Sequence, residues 1–305
     1  MNNVSECVYL DQTGYGPDDW HIVWKHCSGR AQSPINIRTN TAQNDPHLGG
    51  LRFTSDKENG KVSGKLTNNG HAPTLAISKV KGTALMTGGP LGDDVYKLEQ
   101  FHFHFGCKKD QGSEHTVNGD SYSGELHLVT YNTKYPDFST AADKEDGLSV
   151  IGIFLKGKED DDDNDDDDDD DDDDDIENPE LRVLACKMRR IQMAGASVAV
   201  EKVSLYNLIP ELEDLSKASF YSYKGSLTTP PCYESVRWIV LKTPIDASKK
   251  DVRTFFTWIS IYFIIVLFLQ LRAMRRLRDH EEHSICNNFR LPQPLNGRIV
   301  TKYEG

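Results

Sequence analysis

Short runs of alternating apolar and polar residues, separated by turn-forming clusters, make up most of this chain. The clearest cover Lys97–Gly106, Gly124–Asn132, Leu148–Lys156 and Val236–Lys242, are rich in β-branched and aromatic residues, and predict strands. Asn68-Asn69-Gly70, Gly88-Gly89-Pro90 and Asn118-Gly119 supply turn signals between such runs. Over Pro179–Met193 the period changes, with Leu181, Leu184, Met188 and Ile191 falling on one helical face. No solenoid-type repeat is visible. The pattern predicts one β-rich domain with a few peripheral helices.

Two of the strands carry chemistry. In Gln100-Phe101-His102-Phe103-His104-Phe105, a period of two puts Gln100, His102 and His104 on one face and three aromatics on the other. In Glu125-Leu126-His127-Leu128-Val129, the same logic turns Glu125, His127 and Val129 one way and the two leucines the other. Three imidazoles with a fourth position open make a catalytic zinc arrangement, since structural sites close all four positions, usually with thiolates. Gln100 and Glu125 each stand two residues before a histidine on the same face, placed to accept its second ring N–H.

Two stretches break the pattern. Glu159 to Asp175 consists of Glu, fifteen Asp and one Asn, and without its sixteen negative charges the formal net charge of −12 becomes −12 + 16 = +4. The rest of the chain is therefore near neutral, with no basic face of the kind nucleic acid requires. Such a run reads as a solvated loop, or as a tether attracting Ca²⁺ weakly through its carboxylates. The second stretch, Phe255 to Leu269, is apolar and followed by Arg272, Arg275, Arg276 and Arg278. Its fifteen residues fall short of the roughly 17 needed to span a bilayer.

Six cysteines without a CxxC pair favour disulfides over a zinc finger. The N-terminus has no basic region leading into an apolar one, so no secretory signal is visible. Asn3-Val4-Ser5 is a glycosylation sequon.

The sequence resembles the α-class carbonic anhydrases. The likeness is carried by Gln32-Ser33-Pro34-Ile35-Asn36-Ile37, Asn68-Asn69-Gly70-His71, Gly88-Gly89-Pro90-Leu91, Gln100-Phe101-His102-Phe103-His104, Gly112-Ser113-Glu114-His115-Thr116-Val117, Glu125-Leu126-His127-Leu128-Val129 and Gly225-Ser226-Leu227-Thr228-Thr229-Pro230-Pro231. These blocks occur in family order. The resemblance implies an α+β, β-dominated single domain over 14–302, after an N-terminal segment 1–13, built on a large, mainly antiparallel twisted sheet. It implies reversible hydration of CO₂ to bicarbonate and a proton, with one Zn²⁺ on His102, His104 and His127 and water or hydroxide as fourth ligand.

By the same likeness Thr228 donates to Glu114 and orients the attacking oxygen, and Thr229 contacts bicarbonate. Val129, Val150, Leu227, Val236 and Trp238 would form the CO₂ pocket. His71 resembles the proton shuttle, with Tyr15, Asn69 and Thr74 along the water path, although the family often has Asn at the position of Thr74. Asn288 joins Gln100 and Glu125 among the residues that support the ligands. Cys27 and Cys232 match the disulfide of secreted and membrane-bound members, which implies secretion; Cys7, Cys107, Cys186 and Cys286 receive no partner.

Against the family pattern, 159–175 and 251–269 are insertions. The acidic one resembles in position the low-complexity insert of molluscan shell-matrix carbonic anhydrases of the nacrein type. The alternative function is thus a calcium- or mineral-binding matrix protein with the anhydrase domain as scaffold, its partners calcium carbonate or extracellular matrix. Without Asp251–Leu269, Ser248-Lys249-Lys250 would run into Gln270-Leu271-Arg272 as the family's strand runs into its helix. The apolar insert is read first as an unspliced or misassembled segment, then as a surface hairpin, and last as a membrane anchor through 255–269.

Overall fold

The computed structural model describes residues 15–108, 110–157, 178–247 and 270–305. The acidic run, the apolar insert and the N-terminal sequon lie outside these residues, as do the calcium, mineral and membrane readings attached to them. Among the described residues no helix is long and apolar enough to cross a membrane.

The principal strands are β1 (Lys61–Asn68), β2 (Pro73–Ile77), β3 (Tyr96–Phe105), β4 (Gly124–Asn132), β5 (Leu148–Gly157), β6 (Ser197–Ser204), β7 (Phe220–Gly225), β8 (Val236–Leu241) and β9 (Thr301–Tyr303). They lie side by side in the order β6-β1-β2-β3-β4-β5-β8-β7-β9, with Gln43–Asn44 beyond β9. Every pair from β6 to β5 is antiparallel. The β5–β8 pair is parallel, because the chain leaves β5, passes through a helix and the far edge strand β6, and returns. The sheet is mixed and antiparallel in most of its pairs, as the resemblance implied.

Helix α1 (Pro179–Met188) begins where its sequence says it should. The Asn178 side chain accepts from the Leu181 amide at 3.0 Å, Pro179 takes a first-turn position, and Glu180 sits near the positive helix end. It ends at Met188, five residues before the predicted Met193. Ile191 is still buried, but from a turn in which its amide bonds the Met188 carbonyl. The apolar period outlasts the helix because the core takes one more side chain after the chain has turned.

The sheet carries an apolar cluster on each side. Phe101, Phe103, Phe105, Leu126, Leu128, Ile151 and Ile153 pack with α1 residues Leu181, Leu184 and Met188 in one cluster. Val129, Val150, Phe154, Tyr223 and Trp238 belong to the other. A β-bulge in β3 between Leu98 and Gln100 shifts the register by one residue. Leu98 therefore joins the same cluster as Phe101 and Phe103, and Gln100 falls into line with His102 and His104.

Candidate metal centre

Successive partners across the sheet place the site. Thr74 pairs with His102, His102 with His127 and His127 with Gly152, one row spanning β2 to β5. The next row runs Gln100, Val129, Val150, Trp238 and Tyr223. On the other flank His104 pairs with Glu125. Directly opposed residues point to the same face, so strand period and register bring the three histidines together.

Each imidazole is held by the nitrogen that faces away from the other two. His102 Nδ1 donates to Gln100 Oε1 at 2.9 Å, His104 Nδ1 to the Asn288 carbonyl at 2.6 Å, and His127 Nε2 to Glu125 Oε1 at 2.8 Å. The opposite nitrogens then carry bare lone pairs. His102 Nε2 and His104 Nε2 face each other at 3.1 Å, and the three rings offer ligand atoms that all lie within 4.8 Å of one another. Two lone pairs at that distance repel unless a cation lies between them. Burial first, and then the neighbouring His104 and His127, hold His102 well below the ordinary histidine range. Burial likewise lowers His104 to about 4, against the Asn288 hydrogen bond, and lowers His127 against Glu125. All three are neutral at pH 7, the form that binds metal.

Glu114 completes the fit. Its Oε2 is buried without a hydrogen-bond partner, 3.4 Å from His104 Nε2 and 3.8 Å from His127 Nδ1, while its Oε1 accepts from the Arg290 amide at 2.9 Å. Burial pushes its carboxyl up to about 7, against the pull of His127, the neighbouring Thr228 hydroxyl and the Arg290 amide. A divalent cation at the convergence of the three rings would oppose that burial cost. Neutral imidazoles in this number suit zinc, and the donor set fits the ion.

Glu125 does more than the sequence reading assigned to it. Its Oε2 accepts the Glu114 and His115 amides at 2.9 and 2.8 Å, and Oε1 also receives His115 Nδ1 at 2.7 Å. Burial opposes its ionisation, but His115 and His127 outweigh burial and hold it well below the usual carboxylate range. His115 Nε2 meets the Tyr223 hydroxyl at 2.6 Å, which is bonded to Ser33 Oγ at 2.9 Å. This buried chain went unread because His115 and Ser33 lay inside family blocks without a role attached.

Beside the histidines opens a cavity of about 250 Å³, lined by Val129, Val150, Leu227, Thr228, Thr229 and Trp238 with His102, His127 and Gln100. Val236 is buried in the same apolar cluster as Val129 and Trp238 but does not line this cavity. Asn69 Oδ1 accepts the His71 amide at 2.9 Å, Asn69 Nδ2 donates to Thr74 Oγ1 at 3.3 Å, and the His71 carbonyl accepts from Asn288 Nδ2 at 2.9 Å. His71 thus sits on the turn between β1 and β2 and is not among the residues lining this cavity. Tyr15 is partly exposed, its carbonyl accepting from Trp20 Nε1 at 2.8 Å.

Cys27 and Cys232 form a disulfide beside Trp20, and Cys232 N bonds the Thr229 carbonyl at 2.9 Å. A second disulfide joins Cys107 to Cys286, two of the cysteines left without partners, and Cys186 is free. No sequence pattern marked that pair, 179 residues apart.

Comparison with known proteins gives a consistent answer. The family model described as eukaryotic-type carbonic anhydrase matches residues 15–304. The chain is 36% identical to carbonic anhydrase 7 of Homo sapiens over 292 residues, covering 94% of this chain and 95% of the relative. It is 32% identical to carbonic anhydrase 3 of Homo sapiens over 286 residues, 93% and 94% of the two chains, and 33% identical to carbonic anhydrase 3 of Sus scrofa over 297 residues, 97% of each.

Proposed function

The chain belongs to the eukaryotic-type carbonic anhydrase family, and from that premise we propose that it hydrates CO₂ reversibly to bicarbonate and a proton, using one zinc ion on His102, His104 and His127. The observation that carries the zinc assignment is the convergence of three imidazole lone pairs whose opposite nitrogens are all tied down. Zinc held there would lower the pKa of water to about 7, as in the carbonic anhydrase example of such a site, and would thereby supply a nucleophile at neutral pH.

The protein's own groups do the rest. Glu114, with Oε1 occupied by the Arg290 amide, accepts a hydrogen bond from the Thr228 hydroxyl through Oε2, which leaves the Thr228 oxygen's lone pairs free to accept from the nucleophile and orient it. Val129, Val150, Leu227 and Trp238 give uncharged CO₂ an apolar wall, with Val236 packed behind them, and Thr229 contacts the product. His71 passes the proton outward along a path bordered by Tyr15, Asn69 and Thr74; an imidazole suits relay near neutral pH. Gln100, Glu125 and the Asn288 carbonyl keep each ring turned to the ion.

Residues 14–302 form the catalytic domain, into which 159–175 and 251–269 are inserted after an N-terminal segment 1–13. Two disulfides support an extracellular setting, since such bonds persist in oxidising compartments.

The test is zinc stoichiometry together with stopped-flow CO₂ hydration for the full chain and for His102→Ala and His127→Ala. The full chain should hold one zinc and turn over CO₂, and each variant should lose both. A folded full chain that holds no zinc refutes the proposal.

A further inference from the structure

Residues 286–290 run as a strap beside the end of β3 and reach the metal centre from outside the sheet. The Asn287 amide donates to the Phe105 carbonyl at 2.9 Å, and the Cys107 amide to Asn287 Oδ1 at 2.9 Å. The Phe105 amide donates to Asn288 Oδ1 at 2.8 Å, and Asn288 Nδ2 to the Phe103 carbonyl at 3.0 Å. Held in this register, the strap presents the Asn288 carbonyl to His104 and the Arg290 amide to Glu114. Both are main-chain groups. Where they point is set by the register of the strap, which the Asn287 and Asn288 side chains help to hold.

One covalent bond fastens that register. Cys107 lies three residues past His104 and Cys286 two before Asn288, so their disulfide closes a small ring containing the imidazole and its acceptor. Arg275 braces the same corner, Nε donating to the Gly106 carbonyl at 2.8 Å and a terminal nitrogen to the Lys108 carbonyl at 2.9 Å. The Cys27–Cys232 bond, in contrast, ties the Trp20 cluster to the loop carrying Thr228 and Thr229 and adjoins none of the three imidazoles.

We propose that Cys107, Cys286 and Asn287 are positioning residues of the metal centre, the disulfide fixing the strap so that His104 keeps its lone pair on the ion. Loss of the bond lets the Asn288 carbonyl drift from His104 Nδ1, and the ring is then free to turn. The consequence is faster metal loss, because removing an outer partner of a ligand costs roughly 10–100-fold in metal affinity.

This inference rests on the zinc reading above, and the experiment separates the two. Zinc release to a chromogenic chelator and the visible spectrum of the Co²⁺-substituted protein are compared for the full chain, C107A/C286A and C27A/C232A. C107A/C286A should release zinc about tenfold faster and show a shifted Co²⁺ spectrum. C27A/C232A should lose thermal stability yet match the parent in both. Equal release rates and an unchanged spectrum in C107A/C286A overturn the inference alone, whereas a parent that holds no zinc overturns the zinc reading and the inference with it. Should C107A/C286A fail to fold, C27A/C232A is compared before and after treatment with a water-soluble phosphine. The phosphine and one water reduce the remaining S–S bond to two thiols and leave the phosphine oxide. Zinc release that stays constant once those thiols are titrated also overturns the inference.

Discussion

At position 152 the centre has room for a hydrogen atom and little else. Gly152 lies directly across from His127, and a Cβ there would stand 2.8 Å from Glu125 Oε1. A flexible carboxylate could move aside, but this one is fixed by two amides and two imidazoles. Gly152→Ala should therefore cost about 1–3 kcal/mol of stability through overpacking and, by displacing Glu125 from His127, at least about tenfold in zinc affinity. Urea unfolding and competition with a metal chelator measure the two effects, and unchanged zinc affinity would show that Glu125 yields without turning His127. Tyr223→Phe separates stability from metal binding. It strips His115 Nε2 of its buried partner while His115 Nδ1 and His127 keep theirs on Glu125. The expected loss is about 1–3 kcal/mol in urea unfolding, with zinc affinity close to that of the parent.

The elements differ in how plainly the sequence announces them. β3 and β4 were legible because alternation is a local property: three phenylalanines at odd positions and two histidines at even ones leave one way to face the core. The bulge at Leu98/Gln100 was not, since it depends on which residue of β4 each residue of β3 meets. The strap offered no pattern of its own for a related reason, and only the family resemblance brought Asn288 forward. The strap has no periodicity, and its partners Phe103, Phe105, Cys107 and Glu114 lie more than 170 residues earlier. The same strap carries Arg290, whose buried guanidinium donates to Gln32 Oε1 at 2.8 Å, the Ser33 carbonyl at 3.0 Å and the Cys27 carbonyl at 3.1 Å. It thereby fixes the 27–33 segment against the centre, with its guanidinium 5.7 Å from the Trp20 ring. Arg290→Ala would leave three buried oxygens without their donor and should cost about 3 kcal/mol in urea unfolding. Arg290→Lys should recover little of it, since an ammonium cannot reproduce the planar fork.

At the scale of the whole molecule, one centre is assembled from both sides of the acidic run and of the apolar stretch. The imidazoles, Glu114 and Glu125 precede 159–175, Thr228 and Thr229 follow it, and the Asn288 carbonyl and Arg290 amide come only after 251–269. The Cys107–Cys286 bond joins β3 to that last segment covalently. Chain entering 251–269 from Ile245–Ala247, paired with β5, and chain leaving it toward the strap must therefore lie on the same side of any bilayer. A single crossing between them would pull apart the hydrogen bonds of His104 and Glu114. Because the groups that bear on the centre lie outside 251–269, a chain lacking Asp251–Leu269 should fold, hold one zinc and hydrate CO₂ as the full chain does. Metal analysis, thermal unfolding and stopped-flow assay of the two chains side by side decide it: a shortened chain that folds but has lost its zinc would mean that the stretch helps set the strap against β3.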